Sequence, residues 1–247
     1  MTKVKREITI GCDPELFVYQ GATPVSAHDL LPGTKYNPCK VTYGAVQVDG
    51  VAAEFNIDPA PTQKIFIRNM KNVIRILHKI LENKGTSYVL RAVPSVHFAK
   101  EYFDNLPPDT KALGCEPDYD AYTKDKNPKP ETTKPMRTWS GHVHIGWSDC
   151  NQNSPDYIDT CCDLVKELDF TLYRSSLSWD SDEERAELYG RPGAFRFKPY
   201  GLEYRVLSNK WVEEEGLAKF VFDMSKSVAA RFLNGERFKE DFSKTDL

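Results

Sequence analysis

The sequence lacks any run of about 18 consecutive apolar residues, the length that a membrane-spanning helix requires. It also lacks a Cys-x-x-Cys motif, and its six cysteines are scattered along 247 residues. These absences argue against a membrane anchor, a zinc ribbon and a disulfide framework. Because the first residues, MTKVKREITI, lead straight into a predicted strand without the apolar core of a signal peptide, we expect a cytoplasmic protein.

The sequence also has little excess of charge of either sign. Its 33 Lys and Arg residues nearly balance 36 Asp and Glu residues, so the formal net charge at pH 7 is −3. This balance argues against a general nucleic-acid-binding surface, which is usually strongly basic. Three common motifs are missing as well: the GxxxxGK[ST] phosphate loop, GxGxxG after a strand, and the GxSxG elbow of hydrolases.

What the sequence does contain is four strand-like runs that each carry two polar residues at positions i and i+2. The pairs are Asp13 and Glu15, Glu54 and Asn56, His142 and His144, and Glu203 and Arg205. Residues two apart in a β-strand point to the same face, and the neighbouring positions here are mostly apolar. Four such strands predict a polar site on the open face of a sheet.

The order of predicted elements favours an α+β fold. Strands are predicted over about 7–19, 45–49 and 88–98, with a hairpin turn at Asp49-Gly50. Helical spacing predicts a helix that stops near Gly85, a second whose N-cap is Ser154, and a last one over about 213–234. We therefore expect a largely antiparallel sheet with helices on its apolar face. Residues 1–247 form one predicted domain, with a loop-rich insertion at about 104–136.

The acids of the four pairs are candidate metal ligands. Asp13, Glu15, Glu54 and Glu203 offer the oxygen atoms that Mg²⁺ prefers. Residues i and i+2 lie roughly 6.6 Å apart along a strand. The two members of a pair could therefore bind different ions of a site whose metals are about 4 Å apart. A solvated sheet face explains any single pair better, but four pairs together favour a site.

The imidazoles and arginines point toward metal or phosphate. His142 and His144 could bind a metal, orient a phosphate or hold a carboxylate. Guanidinium groups bind phosphate bidentately and neutralise the charge that develops in phosphoryl transfer. Five basic residues lie close together in the sequence: Arg185, Arg191, Arg196, Lys198 and Arg205. We expect Arg185 to form ordinary salt bridges, because it lies on a charged helix.

Two further sets of residues carry reactive groups, but the sequence does not assign them a chemical role. In the motif CEPDYDAY, Asp118 and Asp120 could contact a substrate amine, and a turn with solvated acids is an equally good interpretation. Cys12 and Cys115 could act as nucleophiles in principle, but the sequence pairs neither of them with a base.

Taken in order, five segments resemble the phage-encoded carboxylate–amine ligases of the glutamine-synthetase-like superfamily. They are GCDPELFV, VDGVAAEFN, GCEPDYDA, SGHVHIG and YGRPGAFRFKPYGLEYRVLSNKW, and together they span about residues 8 to 211. The resemblance implies a curved antiparallel sheet that forms an open funnel with helices on its outer face. It also implies a reaction in which ATP phosphorylates a carboxylate and an amine then forms the amide. ATP and two or three Mg²⁺ or Mn²⁺ ions are the implied cofactors.

The resemblance also assigns roles to individual residues. The implied metal ligands are Asp13, Glu15, Glu54, His142 and Glu203, with Asp13 standing where the family usually has glutamate. The implied nucleotide and phosphate contacts are His144, Lys198 and Arg205, and the implied catalytic arginines are Arg191, Arg196 and Arg205. The expected substrate contacts are Asn56, Asp118 and Asp120. The expected substrates are amino acids, peptides or other small amines, and the resemblance indicates no particular oligomeric state.

Two other functions remain open from the sequence. One is a metal-dependent hydrolase in which the same acids and imidazoles activate water. The other is a catalytically inactive nucleotide- or ligand-binding module that keeps the same fold. A hydrolase would work without ATP, and a complete lack of nucleotide binding would favour the inactive module.

Overall fold

The computed structural model of the chain describes residues 6–85, 87–111, 118–130, 132, 134–238 and 243–247. The candidate nucleophile Cys115 and the first part of the GCEPDYDA motif lie outside these residues. The fold is α+β, with a mostly antiparallel, open sheet and helices packed against it. The α+β class and the antiparallel sheet expected from the sequence are confirmed.

The strands lie throughout the chain. They are β1 (Ile8–Gln20), β2 (Thr23–Val25), β3 (Cys39–Val41), β4 (Gly44–Asp49), β5 (Ala52–Ile57), β6 (Tyr88–Arg91), β7 (Ser95–His97), β8 (Tyr119–Asp120), β9 (Met136–Thr138), β10 (Gly141–Trp147), β11 (Ala194–Lys198) and β12 (Gly201–Tyr204). Within the described residues, ten of them form the main sheet in the order β3-β4-β5-β1-β10-β12-β11-β8, and β2 and β6 also pair with β1. Strands β7 and β9 form a separate pair.

Three long helices cover one face of the main sheet. The helices are α1 (Gln63–Glu82), α2 (Lys100–Asp104), α3 (Tyr157–Leu168), α4 (Arg174–Ser176), α5 (Glu183–Leu188) and α6 (Glu215–Leu233). Helix α1 packs on β4 and β5, α3 on β11 and β12, and α6 on β1 and β10. No helix in the described part of the chain is long and apolar enough to cross a bilayer.

The apolar residues that flank the four polar pairs form the core beneath these helices. Phe55, Val143 and Tyr204 are completely buried and belong to one hydrophobic cluster with the inner faces of the helices. Because side chains alternate across a strand, the polar residues between them face the opposite side of the sheet. Packing of one face by helices thus leaves the other face available for a site.

The hairpin predicted at Asp49-Gly50 is present, and the chain forms a second one between β11 and β12. Strands β4 and β5 pair in register around Asp49 and Gly50, and Gly50 has a φ of +59°, which a glycine adopts without strain. Strands β11 and β12 form the second hairpin. Helix α6 matches its predicted range, and α1 ends just before Gly85 as predicted. The backbone N–H of Gly85 donates to the carbonyl of Leu81 at the end of α1.

The strand predicted over 88–98 is wrong as a single element. The chain forms β6 and β7 instead, on either side of Pro94, and the two strands belong to different sheets. Proline has no backbone N–H to donate to a neighbouring strand, so it interrupts a strand that pairs on both sides. The apolar pattern of the segment runs through this break, and that pattern suggested one strand.

The predicted start of α3 is wrong as well. Ser154 is not its N-cap; the backbone N–H of Tyr157 donates to the Ser154 carbonyl in a turn, and the helix begins at Tyr157. Ile158, an apolar residue in the first turn of the helix, is 52% exposed. Tyr157 occupies the buried place, with its hydroxyl within hydrogen-bonding distance of the carbonyl oxygens of Lys198 and Gly201.

The segment predicted as an insertion, 104–136, contributes to the main sheet where the structure describes it. Strand β8 extends the edge of the sheet by pairing with β11, through Ala194 opposite Asp120 and Phe195 opposite Tyr119. Farther along the segment, Pro130 reaches the cavity described below.

Candidate functional site

The polar face of the main sheet lines a cavity of about 540 Å³. All eight residues of the four i, i+2 pairs line this cavity. The prediction that the pairs lie together on one face is therefore confirmed, while the chemical role of each residue stays a prediction.

Strand register brings the first two pairs and His142 side by side. Strand β1 lies between β5 and β10, so that Glu15 is directly opposite Glu54 and Asp13 is directly opposite His142. Each acid of β1 thus faces a different neighbouring strand. Strand β1 therefore contributes one carboxylate to each side of the cavity.

The register on the far side of β10 continues the polar row. His144 is opposite Glu203 of β12, and Glu203 is in turn opposite Arg196 of β11. Lys198 and Arg205 complete this side of the cavity. Basic residues thus collect on the β10–β12–β11 side.

Three carboxylates form what we call the acid cluster: Glu15, Asp49 and Glu54. One oxygen atom of each lies within 4.8 Å of those of the other two. Desolvation in the cavity wall, followed by repulsion from Asp49, raises the pKa of Glu15 to about 8. Desolvation and repulsion from neighbouring acids also raise the pKa of Glu54 well above its ordinary value. A divalent cation would relieve this repulsion, so the cluster fits a metal such as Mg²⁺.

A second group, the mixed cluster, contains Asp13, His144 and Glu203, also within 4.8 Å of one another. Asp13 Oδ1 lies 3.0 Å from His144 Nε2. Desolvation works to raise the pKa of Asp13, but attraction to His144 and His142, together with hydrogen bonds to both, outweighs it and lowers that pKa well below its usual range. The two carboxylates suit Mg²⁺ or Mn²⁺, and the imidazole nitrogen adds a ligand that transition metals such as Mn²⁺ accept.

His142 borders the mixed cluster and also offers a ligand atom. Its Nδ1 lies 3.3 Å from Asp13 Oδ1 and 3.5 Å from Glu203 Oε1. Burial and the nearby charge of Arg205 lower the pKa of His142 to about 4, so the imidazole is neutral at pH 7. Its buried Nε2 has no hydrogen-bond partner among the residues that the structure describes. A neutral imidazole is the form that binds a metal.

Glu203 is the centre of the basic side. Its side chain is only 1% exposed. Lys198 Nζ lies 2.6 Å from Glu203 Oε2, Arg196 Nη1 lies 3.6 Å from Oε1, and Arg205 donates to Oε1. Three cations around one carboxylate leave a net positive charge, which favours the binding of an anionic ligand.

Three predicted site residues do not line the cavity. Arg191 is exposed and reaches back to donate to the Glu187 carbonyl at 2.9 Å. Asp120 pairs with Lys244 at 2.8 Å and accepts from the backbone N–H of Tyr122. The third is Asp118, whose carboxylate contacts Arg205.

Residues of β4 were missed as candidates, although the sequence carried the signal. Gln47 and Asp49 are also spaced i, i+2, and Gln47 lies directly opposite Glu54. Both line the cavity. Asp49 was interpreted only as part of a turn, because Asp-Gly is a strong hairpin signal that concealed its place on the polar face.

Tyr200 is a further residue of the site, and no pattern in the sequence identifies it as one. It lies in the β11–β12 turn, lines the cavity, and its hydroxyl forms a hydrogen bond with His144 Nδ1. This contact orients the imidazole whose other nitrogen faces Asp13. A single aromatic residue in a turn has no pattern from which such a contact could be predicted.

The expectation for Arg185 is wrong. Its side chain is buried, and it donates to the carbonyl oxygens of Trp139, Val206 and Leu207 at 2.9–3.1 Å. It also reaches Ser140 Oγ at 3.3 Å. Arg185 therefore ties together the segments next to β10 and β12 that border the cavity.

In comparisons with known proteins, the chain matches no protein-family model and no curated protein. Its function must therefore be inferred from the cavity.

Proposed function

We propose that the protein is an ATP- and Mg²⁺-dependent ligase that joins a carboxylate to an amine through an acyl phosphate. The observation that carries this proposal is the composition of the cavity. Two clusters of residues that could hold a metal ion each include one acid of β1, and basic side chains surround Glu203, which belongs to one of these clusters. This combination suits a substrate with several negatively charged phosphate oxygens.

The acid cluster would hold one ion, and the mixed cluster with the neighbouring His142 would hold a second. When bound, such ions neutralise phosphate oxygens and fix their orientation. Mn²⁺ would replace Mg²⁺ where an imidazole contributes a ligand.

The basic residues would act on the phosphate being transferred. Arg196, Lys198 and Arg205 would hold the γ-phosphate and stabilise the charge that grows on it. A carboxylate oxygen of the substrate attacks the γ-phosphorus and the bond to ADP breaks, which yields the acyl phosphate. The amine nitrogen then attacks the acyl carbon, phosphate leaves with the bonding pair, and the nitrogen loses a proton.

Phosphate release from ATP tests this proposal directly. The protein is incubated with ATP, Mg²⁺ and panels of amino acids, peptides and amines, and products are identified by mass spectrometry. We expect one pair of substrates to stimulate release and to give a product with their combined mass less one water. The Glu203→Gln variant is the control for phosphate released by contaminants.

Two outcomes would contradict the ligase. Cleavage of a substrate with metal but without ATP would identify the metal-dependent hydrolase. Failure to bind ATP at any Mg²⁺ or Mn²⁺ concentration would favour the inactive binding module.

A further inference from the structure

Arg205 is held on several sides at the wall of the cavity. Its Nη1 donates to Glu203 and lies 3.3 Å from His142 Nδ1. Its guanidinium carbon lies 5.3 Å from the centre of the Tyr189 ring. Its Nε donates to Asp118 Oδ2 at 3.2 Å. The remaining nitrogen, Nη2, makes no hydrogen bond with any residue that the structure describes.

Asp118 is itself firmly placed. Its side chain is 13% exposed, and its second oxygen, Oδ1, accepts from Asn127 Nδ2 at 2.8 Å. The backbone N–H of Asn127 also donates to the Asp118 carbonyl. Both carboxylate oxygens thus have protein partners, and Asp118 does not line the cavity. This arrangement differs from the expected contact between Asp118 and a substrate amine.

We propose that Asp118 is a positioning residue, which fixes the Arg205 guanidinium so that Nη2 points to the transferring phosphate. This role rests on the proposed ligase function. An arginine held at Nε and Nη1 cannot rotate about its last bonds, so its free edge keeps one direction. Such preorganisation matters most in the transition state, where small misplacements of a charged group are costly.

Steady-state kinetics of two matched variants test the proposal. Asp118→Asn keeps the shape of the side chain but removes the charge that holds Arg205. Asp120→Asn is the control, because Asp120 lies in the same segment, is 15% exposed and also forms an ion pair, yet contacts Lys244 instead of Arg205. With ATP and the substrate pair found by the phosphate-release screen, we expect kcat of Asp118→Asn to fall on the order of 10- to 100-fold.

The Michaelis constants separate the two roles of Asp118. A positioning role leaves the KM of the amine nearly unchanged, since Asp118 does not touch it. A raised KM for the amine with unchanged kcat would overturn the proposal in favour of direct substrate contact. Asp118→Glu, which restores the charge, should recover part of the lost kcat. Asp120→Asn should match the wild type in both constants.

A spectroscopic readout tests the contact without relying on activity. In protein labelled with ¹⁵N-arginine, the Arg205 Nε–H resonance is assigned by its absence in Arg205→Lys. We expect Asp118→Asn to shift this resonance and to speed its exchange with water, and Asp120→Asn to leave it unchanged. An unchanged resonance in Asp118→Asn would overturn the proposal. If no substrates stimulate phosphate release, the ligase function fails, but this measurement still decides the role of Asp118.

Discussion

At the scale of single residues, Glu15 shows that placing acids side by side on one face of the sheet destabilises their charged forms. Desolvation and repulsion from Asp49 raise its pKa to about 8 in the folded protein, against about 4.3 in an unfolded chain. Between these two values the folded state holds a proton that the unfolded state has lost. Folding stability of the metal-free protein should therefore fall as pH rises from about 4.3 to about 8.

Thermal unfolding with EDTA across pH 5 to 9 measures this effect. We expect the melting temperature of Glu15→Gln to fall less over this range than that of the wild type. Added Mg²⁺ should flatten the wild-type curve, because a bound cation favours the charged carboxylates. The exposed acid Glu7 provides the control substitution, Glu7→Gln, which should follow the wild type. Parallel curves for Glu15→Gln and wild type would contradict the raised pKa.

Arg196 provides a second test at this scale. Lysine keeps the charge but lacks the planar fork that binds two phosphate oxygens at once. If Arg196 stabilises the transferring phosphate, Arg196→Lys should bind ATP almost normally and turn over about 10² to 10³ times more slowly. ATP affinity, turnover and melting temperature are measured on the same preparation. A lower melting temperature with an unchanged rate per folded molecule would mean that Arg196 serves only the hairpin.

Single residues also show how far sequence alone can predict the site. The i, i+2 spacing identified eight residues that line one cavity, because strand alternation is a local property of the chain. The same spacing applied to β4 would have added Asp49. The contacts of Asp118 and Arg185 could not be predicted, since each depends on a partner many positions away in the sequence.

At the scale of elements, the close approach of β12 to β10 depends on Gly201. This residue has a φ of +150°, and a Cβ at this position would collide with the Ile145 carbonyl oxygen and lie 2.7 Å from the Trp147 ring. Gly201→Ala should therefore push β12 away from β10 at this end of the pair. We expect a loss of unfolding free energy of at least about 1 to 3 kcal/mol, the usual cost of such backbone strain.

Gly216 offers a matched control for this prediction. It lies in the first turn of α6, and a Cβ there would meet nothing within 4 Å. Gly216→Ala should leave stability unchanged or raise it by up to about 1 kcal/mol. Urea unfolding of both variants gives the two free energies. Equal stability of Gly201→Ala and the wild type would show that β12 can move without cost.

Elements differed in how well their ends could be predicted. Helix α1 follows from a long apolar stripe at helical spacing, which has no competing interpretation. The start of α3 was wrong because Ser-Pro-Asp suits a turn as well as a helix N-terminus. The long-range hydrogen bonds of Tyr157 to the carbonyls of Lys198 and Gly201 favour the later start, and no local pattern predicts them.

At the scale of the whole molecule, the two clusters predict two metal sites that can be removed separately. Wild-type protein should bind two Mn²⁺ ions, counted by isothermal titration calorimetry. Glu54→Gln should lose the ion of the acid cluster, and Glu203→Gln should lose the ion of the mixed cluster. Glu54→Gln should stay folded by circular dichroism, since it removes repulsion within the acid cluster. Glu203→Gln leaves three cations without their buried counter-charge and should lower the melting temperature. Both variants should lose ATP turnover.

Asp120→Asn is again the control and should retain both ions. Two ions in Glu54→Gln would rule out the acid cluster as a metal site. Two ions in Glu203→Gln would do the same for the mixed cluster.

The fold class of the molecule could be predicted from the sequence, but the order of strands in the main sheet could not. Hairpin turns and the lack of strict strand–helix alternation indicated an antiparallel α+β fold. Nothing local places Asp13 opposite His142 or His144 opposite Glu203, because these strands are far apart in the sequence. The pattern identifies which residues share a face of a strand, but long-range pairing decides which strands are neighbours.

The positions of the strands along the chain also determine the order in which the charged residues of the site leave the ribosome. Synthesis proceeds from the N-terminus, so every member of the acid cluster has left the ribosome once residue 54 has emerged. Glu203 and the basic residues around it emerge much later. Until then, the segments that form β1, β4 and β5 carry Asp13 and the acid cluster without the basic residues of β11 and the neighbouring Arg205. The acidic side of the cavity is therefore translated well before the basic side, and the site gains its cations only when β11 and β12 join the sheet.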